Sequence, residues 1–195
     1  ITTVPYTEGF ENNAPGWSSS NNQNFYPCWF RSNNPNDSYY YPYVYGYESH
    51  TGIYSVYWDW SNSNNFDPHL ALPAIDTNAI DISSMMLSFW AMGDGYGDTP
   101  VFAVGTMTNP QSIATFQALD TVSITSTDWF KYEIPLSNYS GNGEYIALRA
   151  VNTGNYWSCL IDDFIIDSIP SCMHVYDLAV TSQHNGGSRQ LRDPH

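Results

Sequence analysis

Two adjacent acids, Asp162 and Asp163, lie in the middle of an apolar run that predicts a buried strand. The run, Trp157 to Ile166, is rich in β-branched and aromatic residues and is closed by Asp167, Ser168 and Pro170. A carboxylate buried without a partner costs several kcal/mol or takes up a proton, so these acids need a cation, hydrogen-bond donors or access to solvent. Because strand side chains alternate between faces, we expect only one of the two to point into the core. The pattern indicates half of a metal site, and the alternative is an exposed strand end with solvated acids.

The charge balance of the chain limits the partners it can bind. Five Lys and Arg residues stand against nineteen Asp and Glu residues, which gives a formal net charge of −14 over 195 residues. Such a chain is repelled by a phosphate backbone and by an anionic bilayer, so we exclude nucleic-acid and membrane-surface binding. The same charge attracts cations, and carboxylate, amide and carbonyl oxygens are the ligands that calcium prefers. No run approaches twenty apolar residues, and the Asn-, Tyr- and Trp-rich, Lys-poor composition favours an exported protein.

The pattern of short segments predicts an all-β fold. Runs of β-forming residues between Thr3 and Asp167 are separated by Gly, Pro and Asn turns, and Glu144 to Val151 alternates cleanly. We find no long amphipathic helix with caps, although Asn109 to Phe116 could form one or two helical turns. The segments therefore predict a jelly-roll β-sandwich of two antiparallel sheets.

A change of character near residue 170 predicts a domain boundary. We assign residues 1–169 to the jelly-roll domain and 170–195 to a linker followed by the truncated start of another module. In that second part, Val175 to Thr181 predicts the first strand of an Ig-like or fibronectin-like domain. The last residues, Gly186 to His195, are expected to be a disordered or vector-derived tail.

Two aromatic segments suggest a ligand platform. Tyrosine occupies almost every alternate place from Tyr39 to Tyr47, and an extended chain would put these rings on one face. In Gly52 to Trp60, one face is mostly aromatic and the other carries Tyr57 and Asp59 among smaller residues. Trp and Tyr rings stack on the apolar faces of sugars, but they can equally cover a thin core. The candidate ligand-binding residues are Tyr41, Tyr43, Tyr45, Trp58 and Trp60.

The sequence offers little for catalysis. It contains no HExxH, GxSxG, CxxC or phosphate-loop motif, and its five histidines are scattered. Asp162 and Asp163, as neighbours on opposite strand faces, cannot flank one glycosidic bond. We therefore predict that the chain is not an enzyme. Two smaller features stay open: Asp94 and Asp98 could hold a second ion or form a plain turn, and Cys159 could be a core residue or part of a disulfide.

The order of several motifs resembles one known family. These motifs are Gly9-Phe10-Glu11, Pro15-Gly16-Trp17, Leu72-Pro73-Ala74-Ile75-Asp76, Leu87-Ser88-Phe89-Trp90, Pro135-Leu136-Ser137-Asn138-Tyr139-Ser140-Gly141 and Ile161-Asp162-Asp163-Phe164-Ile165. Together they resemble the cleaved-adhesin domains, also called choice-of-anchor J domains, of secreted bacterial proteins. The resemblance covers about Thr7 to Asp167.

The resemblance implies a calcium-bearing jelly roll related to MAM domains and carbohydrate-binding modules, of the gingipain-haemagglutinin type and without catalysis of its own. It places the Ca²⁺ ligands at Glu11, Asp162 and Asp163, on the first and last strands. The chain departs from the family at Ser18 to Asn24, which lacks the acids of an Asp-rich loop.

The expected function is a calcium-stabilised binding module of a secreted or cell-surface multidomain bacterial protein, with a glycan as its ligand. The alternative is a domain that adheres to a host surface protein, or a spacer that orders a neighbouring catalytic domain of the same polypeptide.

Overall fold

The fold was obtained as a computed structural model, which describes residues 3–11, 24–26, 29–31, 42–60, 68–151 and 154–170. Of residues 24–26, 29–31 and 60 only the backbone is described. The strands are β1 Tyr6–Glu8, β2 Asn24–Tyr26, β3 Trp29–Arg31, β4 Tyr43–Tyr45, β5 Ser55–Trp60, β6 His69–Ala71, β7 Met85–Gly93, β8 Val101–Met107, β9 Gln117–Ser123, β10 Phe130–Pro135, β11 Tyr145–Ala150 and β12 Trp157–Ser168. Two short 3-10 turns, Ile82–Ser84 and Ile113–Thr115, complete the regular structure of these ranges.

The strands form two antiparallel sheets. The first sheet has the order β10-β7-β12-β5-β4, with β1 paired to β12 outside that path. The second sheet has the order β2-β3-β6-β11-β8-β9. The predicted all-β sandwich is confirmed, and the second of the two 3-10 turns lies in the segment where one or two helical turns were expected. Within the described ranges no helix is long and apolar enough to cross a membrane.

The core lies between the inner faces of the two sheets and is largely aromatic. Trp58 on β5 is fully buried, and its ring packs edge to face on Phe102 of β8 with centroids 4.9 Å apart. Trp157 of β12 contacts the same Phe102 ring at 5.4 Å. Large rings contribute most of the apolar area that such a core removes from water. The aromatic face of β5 is therefore its core face, and the prediction that Trp58 presents its ring to a ligand is wrong.

The first and last strands of the sandwich lie side by side. Residues Tyr6, Thr7 and Glu8 pair in register with Ile166, Ile165 and Phe164. This pairing brings the segment after β1 to the middle of β12, where the two adjacent acids lie. The linker, strand and tail predicted beyond residue 170 lie outside the described residues, and the boundary at 169 stays a prediction.

Candidate functional site

The three acids predicted as metal ligands all contact one loop, residues 46–54, which connects β4 to β5. Asp162 Oδ2 accepts hydrogen bonds from the backbone N–H groups of His50 at 2.9 Å and Thr51 at 3.2 Å. Glu11 accepts from Ile53 N at 3.0 Å and from Tyr54 N at 2.9 Å. We name this set, Glu11, Asp162 and Asp163 around the loop, the acid clasp.

Asp163 belongs to the clasp because the strand is irregular at that point. Its φ of 48° lies in the left-handed region, and the register of β12 against β7 shifts between Asp162 and Ile165. Such a bulge re-aims a side chain that regular alternation would send to the other face. Asp163 Oδ1 accepts from Thr51 Oγ1 at 2.7 Å, and its Oδ2 lies 2.6 Å from His50 Nδ1. The expectation that the two acids diverge to opposite faces is therefore wrong.

The buried member of the clasp is Asp162, whose side chain has no solvent exposure. Its pKa is raised to about 6, chiefly by burial and to a smaller extent by the neighbouring Asp163 charge, and hydrogen bonds from the N–H groups of Asp163, Thr51 and His50 offset part of this rise. Three backbone donors, with Asp163 N at 2.7 Å as the shortest, thus replace part of the lost hydration of the carboxylate. The acid fixes the β4–β5 loop to the centre of the sheet.

The hydrogen bonds of the acid clasp bear on whether its three acids form a calcium site. Both oxygens of Glu11, Asp162 and Asp163 have hydrogen-bond partners in the structure. Across the described ranges, no group of three or more His, Cys, Asp or Glu side chains is arranged to hold a metal ion. These acids are therefore satisfied by donors of the loop and of β12, and Ca²⁺ at this position stays a prediction of the sequence.

A second region is the outer face of the first sheet, which we define as the side turned away from the core. One row across this face consists of residues paired in register on four strands: Tyr43, Tyr57, Leu160 and Met92. The ring centroids of Tyr43 and Tyr57 are 5.3 Å apart, and Tyr45 lies 5.5 Å from Tyr57. These rings are half-buried, so they form a packed layer with accessible edges and faces.

A cavity of about 300 Å³ opens on this row. Its floor includes Met92 and Leu160, and Tyr45 and Tyr57 supply its aromatic side. Two exposed acids, Glu48 and Asp94, line it as well. An apolar floor with a few polar groups at the rim is the usual composition of a small-ligand site.

Further polar groups continue from the cavity along the next row of the outer face. Asp59 of β5 pairs in register with Ser158 of β12, whose hydroxyl donates a hydrogen bond to Asp94 Oδ2. Burial raises the pKa of Asp59 to about 6, and the nearby Asp94 charge adds to the shift. Asp59 Oδ1 is buried without a hydrogen-bond partner in the part of the chain that the structure describes. The cavity therefore has an anionic rim.

Tyr43 and Tyr57 of the outer face stay neutral over the whole physiological range. Burial raises the pKa of Tyr43 to about 12, with smaller contributions from Tyr45 and Asp59. Burial also raises the pKa of Tyr57 well above its ordinary value, partly offset by a hydrogen bond with Ser158. These hydroxyls can donate to and accept from a bound polar molecule, but they do not supply a base.

The structure assembles only part of the predicted platform. Tyr43 and Tyr45 lie on the outer face, and their role in ligand binding stays a prediction, whereas Tyr41 and the side chain of Trp60 lie outside what the structure describes. Sequence analysis missed Tyr57, although the alternation of β5 places it on the face opposite Trp58. The useful signal was the mixture of Tyr with Ser and Asp, because a face that includes Asp is the one exposed to solvent.

A further ring pair lies elsewhere on the outer face. His50 stacks on Trp90 of β7 at 3.9 Å with an interplanar angle of 11°, and Trp129 lies 5.8 Å from His50. Since His50 also contacts Asp163, this stack joins the β4–β5 loop to β7.

Two smaller expectations concern Asp94 to Asp98 and Cys159. Asp94 Oδ1 accepts from Tyr96 N at 2.7 Å, and Asp98 Oδ1 accepts from Asn155 Nδ2 at 3.1 Å. These contacts are those of a hydrogen-bonded turn, and a second ion there stays a prediction. Cys159 is a buried free thiol, so it packs as a small core residue.

The architecture of this chain is similar to that of one group of domains with solved structures. The K2 cleaved adhesin domain of Lys-gingipain superposes with a TM-score of 0.63 at 14% identity, covering 86% of this chain and 100% of that domain. This chain has the fold of a cleaved adhesin domain. The K3 domain of Lys-gingipain from Porphyromonas gingivalis W83 gives a TM-score of 0.58 at 17% identity, covering 84% and 98% of the two chains.

The same fold extends to a carbohydrate-binding module. The CBM22-1 xylan-binding domain of Paenibacillus barcinonensis Xyn10C superposes with a TM-score of 0.52 at 14% identity, covering 88% of this chain and 99% of that one. No family profile matches the chain, and no curated protein matches it. The resemblance seen in the sequence motifs is thus confirmed at the level of the fold.

Proposed function

We propose that this chain is a non-catalytic binding module that holds a glycan on the outer face of its first sheet. The observation that carries the proposal is the cavity of about 300 Å³ beside Tyr45 and Tyr57, with an apolar floor and polar groups at its rim. A sugar ring has apolar C–H faces and polar hydroxyl edges. It can stack on a phenol while its hydroxyls bond to carboxylates and to other phenols. A xylan-binding domain shares the fold, which is consistent with this use of the sheet.

The chemistry of the outer face favours binding over catalysis. The phenols are neutral, and the Asp94 carboxylate is already bonded to Ser158 and to the backbone of its own turn. Among the described residues that line the cavity, there is no His or Lys that could act as a base toward the Ser158 hydroxyl. We propose a secreted or cell-surface location, since that is where a domain that binds external glycans acts.

The test is a glycan array followed by calorimetry with the best oligosaccharide. We expect Tyr57→Ala to weaken binding about tenfold, because one stacked ring contributes on the order of 1 kcal/mol or slightly more. The matched control is Phe130→Ala. Phe130 is an exposed ring of the same sheet that pairs with Ala91 on the other face. An unchanged melting temperature in both variants shows that the fold is intact. Equal affinity of the Tyr57 variant and the wild type would contradict the proposed site.

A second candidate function is adhesion to a protein or contact with a neighbouring domain of the same polypeptide. It is favoured by Tyr47, which is 78% exposed and continues the ring layer at 5.3 Å from Tyr45. A ring so exposed is typical of a residue that a protein partner covers. If no glycan binds, but Tyr47→Ala weakens attachment to host-surface protein or to the adjoining domain, this candidate replaces the first.

Calcium stabilisation is the remaining part of the proposal. A carboxylate has about four lone-pair positions, so Asp163 and Glu11 retain acceptor capacity beyond the donors of the loop. We expect millimolar Ca²⁺ to raise the melting temperature and a chelator to lower it, with Mg²⁺ as the control ion. Identical melting curves with Ca²⁺ and with chelator would contradict stabilisation by calcium.

A further inference from the structure

The charged side chains among the described residues that line the outer-face cavity are all acidic, and this restricts the class of ligand more than the aromatic side of the cavity does. Glu48 and Asp94 line the cavity, and Asp59 adjoins it through its pairing with Ser158. None of the described residues that line the cavity is Lys, Arg or His. An acidic glycan placed here would meet only like charges, which costs binding free energy.

The cationic side chains that the structure describes are engaged away from this cavity. Lys131 Nζ lies 2.7 Å from Glu133 Oε1 on the edge strand β10. The Arg149 guanidinium lies 5.9 Å from the ring centroid of Phe116, in the second sheet. Among the residues that the structure describes, no Lys or Arg therefore pairs with Glu48 or Asp94, and a cationic ligand would supply the missing positive charge.

We infer that the ligand of this cavity is a glycan with free amino groups, whose ammonium ions pair with the rim carboxylates while its sugar rings stack on Tyr45 and Tyr57. The inference rests on the proposed glycan-binding function and adds the chemical class of the glycan. An ammonium ion bound at the rim would pair with Glu48 or Asp94 and could donate up to three hydrogen bonds. The phenol rings add a cation–π contribution when the ammonium ion approaches a ring face.

The experiment compares oligosaccharides of equal length in calorimetry at pH 6: a glucosamine hexamer, its fully N-acetylated form, a neutral glucose hexamer and a galacturonic acid hexamer. We expect the glucosamine hexamer to bind roughly tenfold more tightly than its N-acetylated form, as two partly exposed ion pairs would provide. We expect no binding of the acidic hexamer.

Three variants distinguish ion pairing at the rim of the cavity from attraction to the net charge of the protein. Glu48→Gln and Asp94→Asn should each weaken binding of the glucosamine hexamer several-fold more than binding of its N-acetylated form, and so reduce the preference for the amino sugar, because each amide keeps a hydrogen-bond acceptor and loses the charge. Asp120→Asn removes one negative charge from β9 of the other sheet and should leave the preference intact. A preference that falls equally in all three variants is attraction to the net charge and overturns the inference.

The outcomes also separate this inference from the proposed function. Equal affinity for the amino, N-acetylated and neutral hexamers overturns the amino-glycan inference and leaves glycan binding on the outer face standing. Tight binding of the galacturonic acid hexamer overturns the inference in the same way. The absence of binding by every hexamer overturns both.

Discussion

The molecule uses carboxylates in two different ways on the same sheet. In the acid clasp, Asp162 is fully buried and its oxygens accept hydrogen bonds from three backbone N–H groups. At the outer-face cavity, Glu48 and Asp94 are exposed. The first arrangement fixes a loop, because buried charge is tolerated only with its donors in place. The second leaves charge available to a ligand.

The largest effect should come from removing the buried carboxylate of the clasp. Asp162→Ala leaves the N–H groups of His50, Thr51 and Asp163 without their acceptor in a water-poor site. We expect a loss of about 4 kcal/mol in the free energy of unfolding, measured by urea denaturation. The matched control is Asp167→Ala, the exposed acid on the same strand, with an expected change below about 0.5 kcal/mol. If both variants lose an equally small amount of unfolding free energy, the buried Asp162 carboxylate stabilises the fold no more than the exposed Asp167 carboxylate does.

A smaller effect is expected where the clasp meets the backbone of the loop. Gly52 has a φ of 66°, and a Cβ atom placed there would collide with the Glu11 carboxylate. Gly52→Ala therefore both strains the backbone and displaces the Glu11 carboxylate, and we expect a destabilisation of about 2 kcal/mol in thermal unfolding. The comparison variant is Gly154→Ala, since Gly154 has a φ of 102° but no atom near the position of the added carbon. If the two variants lose equal stability, the contact with Glu11 contributes nothing.

The smallest effect concerns the pH dependence of the outer face. The pKa of Asp59 is raised to about 6 in the folded protein from an ordinary 3.8, so between these values the folded state binds more protons than the unfolded state. The free energy of unfolding should therefore fall as pH rises from about 4 to 6, and then level off. Asp59→Asn should be more stable than wild type above pH 6, by on the order of 1 kcal/mol. The difference should vanish below pH 4.

Melting temperatures of the Asp59 variant and wild type across pH 3 to 8 check this prediction. Asp120→Asn, on an exposed position of the second sheet, serves as the control. A constant difference between the Asp59 variant and wild type at all pH values would show that Asp59 is not linked to folding in this range.

Much of the fold could be predicted from the sequence, because strand length, alternation and turn residues are local signals. The cleanly alternating segment forms β11, and the apolar run Met85 to Met92 forms most of β7. The proximity of Glu11 to Asp162 and Asp163 was expected from the resemblance and not from local pattern, and the loop that all three contact was not predicted. The bulge at Asp163 could not be predicted, since a non-glycine residue with positive φ is held by its tertiary contacts with His50 and Thr51.

The candidate site was harder to predict than the fold, for a physical reason. In β5 both faces contain aromatic residues, and sequence analysis chose the face with more rings as the binding surface. Burial decides otherwise, because a sandwich takes its largest apolar rings into the core and leaves Tyr57 with Asp59 outside. Ligand platforms on such sheets are better sought on the face where rings are mixed with polar residues.

The central claim is that the outer face of the first sheet is the binding surface, and NMR titration of the labelled protein with the best-binding oligosaccharide tests it most directly. If the ligand binds on the outer face, the resonances of Tyr45, Tyr57, Met92 and Leu160 should shift first and saturate together, while those of Phe116 and Arg149 on the other sheet stay in place. Shifts confined to the second sheet, with the outer-face resonances unchanged at saturation, would contradict it.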